Sequence, residues 1–156
     1  QNETNDPLSM IPSTTLASSA ICFLGDTKVQ TDQGRIKFMN LTKKNTINGK
    51  KIKKVVKVNN SDDTMIFIMK HALGRKVPNK NTYISRNHGI YLPNGKFVRA
   101  RDLVNGKNIM EFRHTNKVIY NILLEDYDKM NINNLVCESL NEKDPMVRKL
   151  LDKIGY

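Results

Sequence analysis

Apolar residues along this chain fall in short runs, most of them alternating with polar positions. Residues 27–31 alternate and meet a turn at Asp32-Gln33-Gly34, and residues 36–41 follow. Asn48-Gly49 is a two-residue hairpin signal that leads into residues 52–58. A buried-looking run covers 64–70. Runs at 82–85 and 89–92 flank a histidine, Pro93-Asn94-Gly95 turns the chain, and 96–100 returns. Asn105-Gly106 precedes 108–113, residues 117–125 alternate, and 132–137 read as the last strand. Many short strands between Gly and Asn turns predict an all-β domain. One segment has a different period. Apolar positions 146, 147, 150, 151 and 154 suit a short amphipathic helix with Pro145 in its first turn. Residues 1–19 are polar, with Pro7, Pro12 and a Ser/Thr-rich stretch at 13–19, and read as an extended linker. The expected organisation is a linker over 1–19, a β domain over 20–140 and a tail helix within 141–156.

Composition narrows the classes. A chain of 156 residues with 38% hydrophobic and 26% charged residues fits one globular domain. The net charge of +11 belongs to the central body. Its densest run is Lys50-Lys51-Ile52-Lys53-Lys54-Val55-Val56-Lys57. Such a stripe can bind phosphates, but no aromatics interleave it. It reads as a strand with an apolar inner face and a solvated lysine face, so nucleic acid is not an expected partner. The longest apolar runs, such as Met65-Ile66-Phe67-Ile68-Met69, are too short to span a bilayer, and no membrane partner is expected. Two cysteines make no disulfide scaffold, and no Cys/His spacing suggests zinc, so no metal and no cofactor are expected. The chain begins with Gln and shows no signal-peptide pattern over 1–21, which reads as a piece of a longer protein.

Candidate chemistry centres on Cys22, which opens Cys22-Phe23-Leu24-Gly25-Asp26-Thr27. A thiol made nucleophilic can attack the Ile21 carbonyl and convert the peptide bond to a thioester. The amide nitrogen is a poor leaving group unless it is protonated, and histidine suits that task. Of the three histidines, His88 lies between two strands, with Ser85 three residues before it and Gly89 after. Ser85 can bond the scissile amide or orient the imidazole. Taken alone, His88 also reads as a hydrogen-bonded turn histidine. His71, beside Lys70 at the end of an apolar run, reads as surface. His114, between Arg113 and Thr115, reads as solvated.

Four blocks in order carry a family resemblance. Cys22 to Thr27 is similar to a CFxxGT opening. Ser85-Arg86-Asn87-His88 is similar to TxxH, with Ser keeping the hydroxyl. Ala100-Arg101-Asp102-Leu103-Val104-Asn105-Gly106-Lys107-Asn108-Ile109 is similar to AxDLxxGxxI. Val118-Ile119-Tyr120-Asn121-Ile122-Leu123-Leu124-Glu125, followed by Asn133-Asn134-Leu135-Val136, is similar to the closing block. Over residues 20–140 the chain resembles the Hint family of hedgehog processing domains and inteins. Its Cys137-Glu138-Ser139-Leu140 ending is similar to Hint domains of large DNA viruses and bacterial secreted proteins.

The resemblance implies an all-β horseshoe of short antiparallel strands with a short C-terminal helix, and Cys22 Sγ within several Å of the His88 ring. It implies a single-turnover, self-processing cysteine autoprotease. Cys22 accepts the acyl group at Ile21–Cys22, His88 protonates the departing nitrogen and Ser85 supports it. The partner is the chain's own N-terminal flank, and water, a thiol or an amine takes the acyl group. A virion or host-cytoplasm location follows from the resemblance alone. Inteins end in His-Asn; residues 135–140 contain no such pair, so splicing is not expected. Inteins often carry Asp at or beside Asn121, and a carboxamide cannot act as a base. On this reading Asn121→Asp accelerates cleavage. No sterol-recognition region is recognisable. Cys137 has three readings: a buried core residue, a disulfide partner that blocks Cys22, or an acyl acceptor. The alternative for the whole chain is a catalytically silent Hint module serving as a structural or assembly domain of a larger protein.

Overall fold

The computed structural model describes residues 21–59, 64–114 and 118–156; the linker expected at 1–19 lies outside them. The described residues form thirteen strands and one α-helix. The strands are β1 (Phe23–Leu24), β2 (Lys28–Thr31), β3 (Gly34–Lys37), β4 (Thr46–Ile47), β5 (Lys50–Asn59), β6 (Thr64–Ile68) and β7 (Thr82–Ser85), then β8 (Gly89–Tyr91), β9 (Phe97–Arg99), β10 (Ile109–Arg113), β11 (Val118–Leu124), β12 (Lys129–Ile132) and β13 (Leu135–Glu138). The helix α1 is Pro145–Lys153. All strand pairs are antiparallel. A seven-stranded sheet runs β10-β6-β7-β1-β11-β5-β4, a four-stranded sheet runs β12-β13-β8-β9, and β2 pairs β3. The expectation of a mainly β domain with a short C-terminal helix is met.

Two parts of the expected pattern are corrected. The strand expected at 36–41 ends at Lys37, and Phe38–Asn40 form a 3-10 turn that drops Phe38 into the core. The single strand expected at 132–137 is the turn and second arm of a hairpin, β12–β13. Asn133 and Asn134 take φ of 52° and 71°, the left-handed values a two-residue turn between twisted strands requires. Asparagine tolerates that region better than other residues with a side chain. Asn48-Gly49 makes the equivalent turn between β4 and β5.

The long β5–β11 ladder carries a bulge where Leu123 pairs Lys54 and Leu124 pairs Ile52. The bulge shifts the alternation of β5, so Ile52 and Val55 enter one hydrophobic cluster while Val56 and Val58 enter another. The lysines of β5 lie at the half-buried or exposed positions between these, and Lys50 and Lys53 pair with Asp128 and Glu142. The short strand β1 separates the two clusters. Phe23 points into the first, with Phe38, Ile84, Ile122 and Cys137. Cys22 and Leu24 point into the second, with Ile119, Leu123 and Leu140. Val147, Leu150 and Leu151 of α1 pack into the second cluster as well. Asp144 caps that helix by accepting from Met146 N at 2.9 Å, and Pro145 occupies its first turn.

Candidate active site at the Ile21–Cys22 bond

Register alone brings the first three residues together. β1 pairs β11 with Phe23 opposite Tyr120, and β7 with Phe23 opposite Ile84. One step back along both registers puts Cys22 between Asn121 and Ser85. Alternation does the rest. In β11, Ile119 and Leu123 face the second cluster, so Asn121 faces it too; in β7, Tyr83 faces it, and so does Ser85. Both polar side chains are buried on the Cys22 side of the sheet, at 0% and 3% exposure.

Each polar atom of the Ile21–Cys22 peptide unit is held by one of them. Cys22 N donates to Ser85 Oγ at 2.7 Å. Asn121 Nδ2 donates to the Ile21 carbonyl oxygen through a short contact. The Asn121 carboxamide cannot turn freely, because its Oδ1 already accepts from Ile122 N at 2.8 Å. Ser85 N donates to Cys22 O at 3.0 Å, which fixes the residue after the bond as well. The contact on Ile21 O makes Asn121 a donor to the carbonyl. Asn121→Asp would remove that donor, so the contact bears against the expected acceleration.

His88 is fully buried in the turn between β7 and β8. Its ring lies on Phe23, with centroids 4.6 Å apart and planes 52° apart. Backbone bonds from Ala100 N to His88 O and from Arg101 N to Arg86 O, both 2.9 Å, clamp the turn to the Ala100–Leu103 segment. His88 Nε2 donates to the Glu138 carbonyl at 2.7 Å, and Nδ1 is buried without a hydrogen-bond partner. Burial pushes the imidazole pKa down to about 4, against the opposing effect of the Glu138 and Cys22 carbonyls. The resting ring is therefore neutral. Burial pushes the Cys22 thiol up, partly opposed by the backbone at Ile21, so the resting sulfur carries its proton.

The other candidates fall elsewhere. His71 is exposed, in a turn at φ 68°, with Nδ1 accepting from Lys76 N at 2.7 Å. His114 differs from expectation. It is half-buried, with its ring edge-on to Tyr83 at 5.0 Å, because the neighbouring strands expose an aromatic row that an imidazole can join. Cys137 is a free thiol in the first cluster, on the other side of β1 from the cluster that holds Cys22, and burial raises its pKa too. The core reading matches this placement, and the disulfide to Cys22 is not formed. Among the described residues, no group of three His, Cys, Asp or Glu is placed to hold a metal ion.

Two residues that the sequence reading left aside surround His88. Glu138 Oε2 accepts from Gly89 N and Arg99 Nη1, each at 2.9 Å. Gly89 leaves the space for this: a Cβ there would strike the Phe97 ring and lie 2.7 Å from Glu138 Oε2. The signal for Glu138 was its place as the single acidic residue in the apolar run of β13.

The model of the Hint domain family matches residues 21–144. The chain belongs to the Hint domain family. Its Hint fold is similar to that of a bacterial intein-like domain from Clostridium thermocellum, at 13% identity over 78% of this chain and 99% of that one, with a TM-score of 0.62. It is similar to a DnaB intein from Synechocystis sp. PCC 6803, at 14% identity, 77% and 99% coverage and a TM-score of 0.55. An intein from a hyperthermophile matches at 18% identity, 77% and 100% coverage and a TM-score of 0.55. No curated protein matches the chain. The Hint match opens at Ile21, beside Cys22, and ends at Asp144, so α1 lies beyond it. A Hint domain of intein-like fold supports self-processing as the general class of activity.

Proposed function

We propose that this Hint domain cleaves its own Ile21–Cys22 bond by an N-to-S acyl shift, with the thioester then resolved by water or another nucleophile and without splicing. The observation that carries the reading is the grip on the scissile unit, with Ser85 on its N–H and Asn121 on its carbonyl. Attack of Sγ on the Ile21 carbon moves electrons onto the carbonyl oxygen, and a donor already in place stabilises that charge without reorganising. A neutral His88 has no proton to give at first. The thiol proton leaves as sulfur attacks, and His88 supplies a proton to the Cys22 nitrogen as the C–N bond breaks, its unpartnered Nδ1 being the ring atom that can take one up. The proton moves from sulfur to nitrogen, a thioester replaces the amide, and an amine is freed. Ser85 Oγ, on the same nitrogen, orients its lone pair as the amide loses planarity.

A second reading, a silent structural module, is favoured by one observation: Cys22 and His88 are both buried, which favours a protonated thiol and a neutral imidazole over a resting thiolate. Treating the purified chain with a small thiol or hydroxylamine, and following mass, separates the two. Self-processing releases residues 1–21, and Cys22→Ala abolishes the release. Absence of release under any nucleophile leaves the structural reading. Release at the wild-type rate from Cys22→Ala overturns the mechanism.

A further inference from the structure

The proton path proposed above needs Nδ1 of His88 bare, and Glu138 is the residue that determines this. A neutral imidazole has one N–H. Buried where water does not reach, that N–H must find an acceptor or the site loses a hydrogen bond's worth of stability. The acceptor is the main-chain carbonyl of Glu138, 2.7 Å from Nε2. With the proton moved to Nδ1, the Nε2 lone pair and that carbonyl oxygen would face each other, two acceptors without a hydrogen. The Cys22 carbonyl also acts on the ring but makes no hydrogen bond with Nδ1, so the Glu138 carbonyl selects the tautomer.

The β12–β13 ladder holds the backbone of Glu138 opposite Lys129, and on the other edge the side chain of the same residue adds a second anchor. The β13–β8 pairing runs through Val136–Tyr91 and Cys137–Ile90. Glu138 comes next, opposite Gly89, where the carboxylate takes over: Oε2 accepts from Gly89 N and from Arg99 Nη1, each at 2.9 Å. Arg99 Nη1 also donates to Asn87 O at 3.1 Å, so the clamp reaches back into the Ser85–His88 turn. Gly89 is the residue after His88, and only a glycine there leaves room for the carboxylate.

We propose that Glu138 is a positioning residue for His88: its carboxylate, anchored on Gly89 N and Arg99, keeps its own carbonyl on Nε2 and so fixes the tautomer with Nδ1 bare. This rests on the self-cleavage reading for its consequence, but the tautomer can be read without any cleavage. Full-length chain with 15N-labelled histidine is examined by long-range 1H–15N NMR, His88 being assigned as the signal lost in His88→Gln. The wild type should show a protonated Nε2 and a bare Nδ1. In Glu138→Ala the two nitrogen shifts should move toward each other as tautomers mix, and thiol-induced release should slow at least about tenfold. Glu138→Gln keeps an acceptor for Gly89 N, and should retain the wild-type pattern and most of the rate. If Glu138→Ala does not fold, Glu138→Asp, with the same charge on a shorter arm, should give the mixed pattern in its place. A wild-type tautomer pattern in the folded Ala or Asp variant overturns the proposal. A mixed pattern with an unchanged rate of release upholds the tautomer assignment and overturns the part given to Nδ1 in the proton path. If the wild type releases nothing, the self-cleavage reading fails, and the shifts still decide whether Glu138 sets the tautomer.

Discussion

The two faces of strand β1 are built from the same apolar residue types but carry different loads. The Phe23 face is closed by hydrophobic side chains, with Phe38 stacked on Phe23 at 5.2 Å and 10° between planes. The Cys22 face is equally buried, yet it includes Ser85 and Asn121, both hydrogen-bonded to the Ile21–Cys22 unit. One face supplies stability. The other holds a peptide bond against fixed polar groups in a place where water does not screen them. The contrast teaches that the reactive geometry is an extension of sheet register: Cys22 is flanked as it is because Phe23 pairs Tyr120 and Ile84.

Changes on the two faces should therefore separate chemistry from stability. The largest effect is expected from Asn121→Asp. It keeps an acceptor for Ile122 N but loses the donor to Ile21 O. Thiol-induced release should slow about 10²–10³-fold, about 3–4 kcal/mol in the barrier. Timed mass spectrometry checks this, and an accelerated rate would restore the base reading of that position. On the other face, Phe38→Ala should cost about 3–5 kcal/mol in denaturant unfolding, with the release rate of the folded fraction little changed.

A smaller effect connects the faces through His88. Its pKa falls from 6.5 to about 4 on folding, so between those values the unfolded chain binds the proton that the folded chain refuses. Stability from this group is present above pH 6.5 and is lost as pH falls toward 4, by roughly 3 kcal/mol. Unfolding free energy measured across that window should fall more steeply for the wild type than for His88→Gln. Equal slopes would mean that the imidazole is not held neutral. The smallest effect is expected at the helix that closes the Cys22 face. Asp144→Ala should remove the cap on α1 and cost about 1 kcal/mol, read as a shift in the denaturation midpoint.

Much of this architecture was legible in the chain. Period-2 runs and Asn-Gly signals placed most strands, because one face of each is buried and the turns need left-handed residues. The α1 pattern was equally plain, since its three buried residues recur at helical spacing. The Asn133–Asn134 turn is hidden because Asn-Asn is a weaker turn signal than Asn-Gly and apolar residues continue on both sides of it. Phe38 was placed in a strand because periodicity does not distinguish a strand end from a tight turn that buries the same ring. At the site, the sequence offered Cys22, Ser85 and His88 as residue types in order. It could not say which atom of Asn121 meets the carbonyl, since that depends on Oδ1 being taken by Ile122 N. Glu138 escaped because its role depends on a backbone carbonyl, which every residue has.

The position of β1 also has a mechanical consequence. The strand has two residues and is bonded along both edges, between β7 and β11, inside a seven-stranded sheet. Whatever is attached upstream is tethered through Ile21. A pull on that tether reaches the Asn121 contact on Ile21 O first and the Ser85 contact on Cys22 N next, before it loads any core strand. Among the described residues, the Ile21–Cys22 bond is thus the first to take up a pull from upstream, while the sheet behind it stays anchored.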